Sequence, residues 1–160
     1  MKRIRTHYMD TSAIIKLLVQ EDGSDKIRNY FSEHSIFSTT SICFAETLGV
    51  LKLKYLRKLI SQEEYLSASE ELMAHLRGTT LQIEDVGISD RQIFNDVEAL
   101  SKKYNLDISD CYQLVTLRRG FFAQFTNDSQ PILITADKDL SVAARKEGFR
   151  VWDCLREIAP

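Results

Sequence analysis

Short apolar runs alternate with longer stretches of helical periodicity along the chain, and this alternation sharply limits the folds open to it. Such a rhythm favours an α/β fold on a parallel sheet. Residues 3–9 predict a first strand ending at Asp10, and PILITA, 131–136, is the clearest buried strand. IFST at 36–39, LQIEDV at 81–86 and FRVWD at 149–153 read as further strands. The spacing between them predicts helices over 12–20, 24–33, 41–59, 61–76, 89–104, 110–122 and 140–147. Ser61 and Glu64 form the S-x-x-E pattern of a capping box, and Gly148 suits the position just past the last helix. FFAQFTNDSQ, 121–130, is the least regular stretch and reads as including a surface loop. No linker or repeat interrupts the pattern, so the expectation is one domain over residues 1–160, with a central, mostly parallel sheet of about five strands flanked by helices.

Charge and cysteine usage narrow the function classes. A net charge of −2, from 21 basic and 23 acidic residues, lacks the basic signature of many proteins that coat nucleic acid. It leaves a nucleic-acid enzyme open, because bound cations offset an acidic pocket. Cys43, Cys111 and Cys154 are widely separated and lack C-x-x-C spacing, so they read as buried thiols of a reducing compartment. No apolar run of signal-peptide length follows the basic MKRIR before Asp10, and no segment approaches the roughly 20 apolar residues of a membrane span. The expectation is a soluble cytoplasmic protein.

Four carboxylates sit where a carboxylate is unexpected. In THYMDTSAIIKLL, residues 6–18, Asp10 stands between a strand and a helix, with Thr11 and Ser12 as further capping candidates. Asp137 follows PILITA and also precedes a helix. Ligands of open α/β sheets gather outside the C-terminal strand ends, where both aspartates belong. Glu46 lies within a helix among Ile42, Cys43, Gly49 and Val50, a stripe on which an unpaired charge is costly. Asp110 opens the helix after LDIS, one turn beyond Asp107. Brought together, such carboxylates repel unless protons or cations neutralise them. A set of oxygen ligands without His or Cys suits Mg²⁺ or Mn²⁺, which activate water and stabilise charge on a phosphate. Each acid also has a structural reading. Asp10 and Asp110 can be plain caps, Asp137 and Asp139 compete for one helix start, and Glu46 can reach solvent or pair with Lys52.

Four segments, in this order, resemble the motifs of the PIN domain family, and most closely those of VapC-type ribonuclease toxins. They are YMDTSAIIKLL, SICFAETLGVL, ISDCYQLVTL and LITADKDLSVAARKEGFRVWD, and the resemblance runs nearly end to end. It implies a three-layer PIN-like fold and a Mg²⁺- or Mn²⁺-dependent endoribonuclease. Asp10, Glu46, Asp110 and Asp137 would hold one or two metals, and metal-activated water would attack the RNA phosphodiester. Ser12 and Thr135 would orient ligands or water, with Asp107 and Asp139 as extra acids nearby. A small antitoxin partner and a homodimer are implied by the same resemblance. The third motif departs from the family's usual Asp-Ala, with Cys111 in the second place.

Candidate RNA-binding groups are Lys52, Lys54, Arg57 and Lys58 on the long helix and Arg118 and Arg119 on the third-motif helix, where a solvated face is the competing reading. Phe121, Phe122 and Phe125 are candidates for base stacking or for core. Ile14, Ile15, Leu17, Leu18 and Tyr30 offer an apolar groove for a partner or ordinary core. Two further function classes compete with the nuclease. One is a catalytically inactive PIN-like module that binds RNA or protein. The other is a phosphoryl-transfer protein, for which Ser12 stands where a second Asp is expected and Lys138 is a poorly placed lysine.

Overall fold

The computed structural model describes residues 5–160. Its strands are β1 (His7–Met9), β2 (Phe37–Thr39), β3 (Leu81–Ile83), β4 (Ile132–Thr135) and β5 (Arg150–Asp153). They form one sheet in the order β3-β2-β1-β4-β5, and every pairing is parallel rather than most of them. The first strand is shorter than its predicted span, whose residues 3 and 4 lie outside the described residues. Around the sheet lie α1 (Thr11–Leu18), α2 (Ser24–Glu33), α3 (Ser41–Leu56), α4 (Gln62–Arg77), α5 (Arg91–Tyr104), α6 (Ile108–Arg119) and α7 (Lys138–Lys146).

Strand pleating sorts the apolar runs onto two faces. Met9, Ile132 and Ile134 point into a core shared with α1, α2, α3 and α4, centred on Ile14, Leu51, Leu72 and Trp152. Tyr8 and Leu133 point the other way, into a core shared with α5, α6 and α7. Both sheet faces are thus covered, which is why PILITA reads as an unbroken apolar run. The result is a three-layer α/β fold.

Ile14, Ile15, Leu17, Leu18 and Tyr30 are all buried in the first core. Phe122 joins the second core, while Phe121 stays exposed and packs edge-on against it. The segment 121–130 folds into two short 3-10 turns, Phe121–Gln124 and Asn127–Ser129. All three cysteines are buried and free.

Helix ends follow local chemistry. The capping box of α4 is complete: Glu64 N–H donates to Ser61 Oγ (3.0 Å), and Glu64 Oε2 accepts from Ser61 N–H (2.6 Å). A Ser61→Ala substitution is expected to cost about 1 kcal/mol, lowering Tm by about 2–4 °C in a thermal melt. The predicted third strand stops at Ile83, and the next two side chains hold neighbouring segments. Glu84 Oε1 accepts from Phe121 N–H (2.8 Å), and Asp85 Oδ1 accepts from Ser41 N–H (2.9 Å). Gly148, at φ +86°, follows the C-cap of α7 in the left-handed region that glycine tolerates.

The chain runs outward in opposite directions from the centre of this sheet: β1 leads to β2 and β3 on one side, β4 to β5 on the other. Ligands of open α/β folds bind at such a switch point, beyond the C-terminal strand ends. Asp10 leaves β1 at that place, and Asp137 follows β4 beside it.

Candidate metal and nucleic-acid site

Asp10, Glu46, Asp110 and Asp137 line one cleft of about 380 Å³ above the switch point, together with Ser12, Asp107 and Ser109. Four elements supply the acids, so only the tertiary fold brings them together.

Asp10 is the most constrained of them, 4% exposed. It is the N-cap of α1, and its Oδ2 accepts from Ser12 N–H (3.3 Å), Ser12 Oγ–H (2.5 Å) and Thr135 Oγ–H (2.9 Å). Its Oδ1 has a long contact from Gln113 Nε2 at 3.5 Å. Burial pushes the Asp10 pKa up, against the lowering effect of the Ser12 and Thr135 hydrogen bonds. Capping and pointing at the cleft are thus both done by this one side chain. Thr135 also accepts from Asp137 N–H (2.9 Å), tying the ends of β1 and β4 together.

Asp110 does not open its helix. The helix begins at Ile108, with Asp107 at the N-cap position, and Asp110 falls in its first turn. There its charge meets the positive end of the helix dipole. That is not enough: burial, then the charges of Asp10, Asp137, Glu46 and Asp107, push its pKa up to about 8. The cluster is short of positive charge.

Glu46 is exposed rather than set on a buried stripe, because this face of α3 borders the cleft instead of the core. Thr11 Oγ–H donates to its Oε2 at 3.0 Å. No atom lies within 4 Å of a Cβ built at Gly49, so the stripe beside Glu46 is open space. Asp137 is exposed and caps α7, its Oδ1 accepting from the backbone N–H groups of Asp139 (2.7 Å) and Leu140 (3.0 Å). That settles the competition at this helix start, and Asp139 itself is exposed outside the cleft lining.

Among the described residues no three acidic, histidine or cysteine side chains already converge as a coordination shell. The acids line a common cleft without closing on one point. The donor set still fits a hard divalent cation: all-oxygen, with a buried Asp10 and an Asp110 whose pKa is pushed up by burial and by the neighbouring carboxylates.

The basic candidates divide. Lys54 lines the cleft. Lys52 instead lies over the rings of Tyr55 and Tyr65. Arg118 pairs with Glu147, and Arg119 with Asp96 at 2.6 Å, at the C-terminal end of α6 away from the cleft lining. Sequence reasoning missed one buried residue behind the cleft and two that line it. Gln113 is fully buried, three residues past Asp110, and links Cys43 to Asp10; a lone amide within CYQLVTL was its signal. Lys16, inside AIIKLL, and Glu21 line the cleft.

The PIN domain family model matches residues 7–146. No curated protein matches the chain in sequence. Among solved structures the chain is similar to PAE2754 from Pyrobaculum aerophilum, at 14% identity and a TM-score of 0.59, covering 92% of this chain and 89% of that one. That likeness is one of fold.

Proposed function

The chain belongs to the PIN domain family, generally a fold of metal-dependent nucleases, and from that membership we propose that it is a Mg²⁺- or Mn²⁺-dependent endoribonuclease, the toxin of a VapBC-type pair. The observation that carries this reading is the joint placement of Asp10, Glu46, Asp110 and Asp137 around one cleft at the switch point. These four residues would hold one or two ions. A bound Mg²⁺ or Mn²⁺ supplies Lewis acidity to the phosphate and lowers the pKa of water to make a nucleophile.

The chain's own groups do the positioning. Ser12 and Thr135 lock the Asp10 carboxylate by one oxygen, and the other has a long contact from Gln113. Thr11 steadies Glu46. Asp107 adds charge at the rim, and Asp139 serves through its backbone N–H to Asp137.

A homodimer and a small antitoxin come with the VapC-type reading. Exposed Leu53, Leu56, Leu59 and Leu66 on and between α3 and α4 are the apolar surface such contacts would use. Three buried free thiols fit a reducing, cytoplasmic setting. No described helix is long and apolar enough to cross a membrane.

A second reading, a catalytically inactive PIN-like module that binds RNA or protein, is favoured by the absence of a ready-made coordination shell among the described residues. Incubation with single-stranded RNA separates the two. The nuclease reading predicts cleavage that stops on chelation and returns with Mn²⁺. RNA left intact at millimolar Mn²⁺ would favour the binding module.

A further inference from the structure

One end of the acidic cleft is not acidic. Lys16 and Lys54 are the cationic side chains lining it, and both are bound to one carboxylate, Glu21. Lys16 Nζ donates to Glu21 Oε1 (2.9 Å) and Lys54 Nζ to Oε2 (3.0 Å). Lys16 is buried at 7% exposure, an unusual place for an ammonium group.

We propose that Lys16, Glu21 and Lys54 form a phosphate clamp that grips the RNA backbone beside the bond being cut. This rests on the nuclease reading of the cleft and deepens it.

Spacing carries the inference first. Lys16 lies one helical turn beyond Ser12 on α1, and Lys54 two turns beyond Glu46 on α3 with Val50 between them. Residues four apart share a helix face. Two parallel stripes therefore run along the cleft, each from the acid cluster to a lysine. Glu46 and Lys54 are ~12 Å apart along the helix at 1.5 Å per residue, so the clamp meets a neighbouring phosphate rather than the reacting one.

Charge carries it next. A pin between α1 and α3 needs one lysine and one carboxylate. Here two cations share one anion, so this end of the cleft carries a local excess of one positive charge beside the acid cluster. Burial opposes ionisation of Glu21, but Lys16 and Lys54 outweigh it and hold its carboxyl below the usual range. Each ammonium has three donors, and Glu21 takes one from each. The turn after α1 fixes Glu21: Ser24 Oγ accepts from Glu21 N–H at 2.9 Å, and Gly23 takes the left-handed φ of +84° that the turn needs.

The test is fluorescence anisotropy with a labelled, phosphorothioate-protected oligouridylate in Mn²⁺, on full-length wild type, Lys54→Gln and Lys54→Arg. Calorimetry with Mn²⁺ alone runs beside it. Lys54→Gln is expected to weaken RNA binding about tenfold at low salt. Its slope of log affinity against log salt should be shallower by about 0.7, the share of one single-strand phosphate. Lys54→Arg should retain both, and Mn²⁺ binding should be unchanged in all three. Wild-type affinity and salt slope in Lys54→Gln would overturn the clamp, as would equal loss in Lys54→Arg or no RNA binding by wild type. Lys54-dependent RNA binding without Mn²⁺ binding would remove the nuclease reading and leave the clamp standing.

Discussion

An Asp10→Asn protein is expected to lose RNA cleavage by about 10²–10³-fold or more while remaining folded, because it removes one charge from the ion-holding set and little else. Asn is a good N-cap, so α1 keeps its start. The amide oxygen can still accept from Ser12 or Thr135, which limits the structural cost. Single-turnover cleavage rates, with circular dichroism on the same samples, check this. Loss of activity together with loss of fold would make Asp10 a structural residue. Unchanged cleavage would point to a contaminating nuclease.

The metal-free protein is expected to lose stability as pH rises from about 6.5 to about 8, above the range in which the buried imidazole of His7, its pKa lowered to about 4, works the other way. Asp110 has its pKa raised from 3.8 to about 8 by burial and by Asp10, Asp137, Glu46 and Asp107. The folded chain therefore holds this proton more tightly than the unfolded chain does. That contribution is fully present below the unfolded pKa and lost as pH climbs through the folded one. Asp10, shifted the same way by burial, adds to the trend. After discounting for the solvent access of Asp110, the effect is roughly 1–3 kcal/mol. Asp110→Asn should flatten this part of the pH profile and raise the metal-free Tm at pH 8 by several degrees, at about 2–4 °C per kcal/mol. Mn²⁺ should stabilise wild type most at the alkaline end, where the carboxylates are ionised, and Asp110→Asn much less. Melts from pH 5 to pH 8.5, with and without Mn²⁺, give the answer. A wild-type Tm that rises between pH 6.5 and pH 8.5 would contradict the crowded-carboxylate account.

What the chain disclosed in advance was mostly local. Ser24–Glu33 is a helix with the predicted ends, and the capping box of Ser61 and Glu64 forms as its spacing requires. Strand order was not written in any segment, yet Asp10 and Asp137 followed from strand ends alone, because every parallel strand delivers its last residue to the same edge. Misreadings came where a distant group decides. Glu46 has apolar sequence neighbours, but that side of α3 opens onto the cleft. Asp110 looked like a helix start because Ser-Asp is a capping pair, whereas Asp107 takes the N-cap position. Arg118 and Arg119 read as free basic groups until Glu147 and Asp96 arrive from other helices. Lys16 was hidden for the same reason: a lysine in AIIKLL suggests nothing until Glu21 and Lys54 close around it.

The central claim is that Asp10 and its neighbouring acids hold a divalent cation. Calorimetric titration of Mn²⁺ into wild type and Asp10→Asn in parallel tests it most directly, independently of any RNA. The account predicts saturable binding in wild type that weakens sharply in Asp10→Asn. Equal binding in the two proteins, or none in either at millimolar Mn²⁺, would contradict it and leave the PIN fold without an assembled metal site.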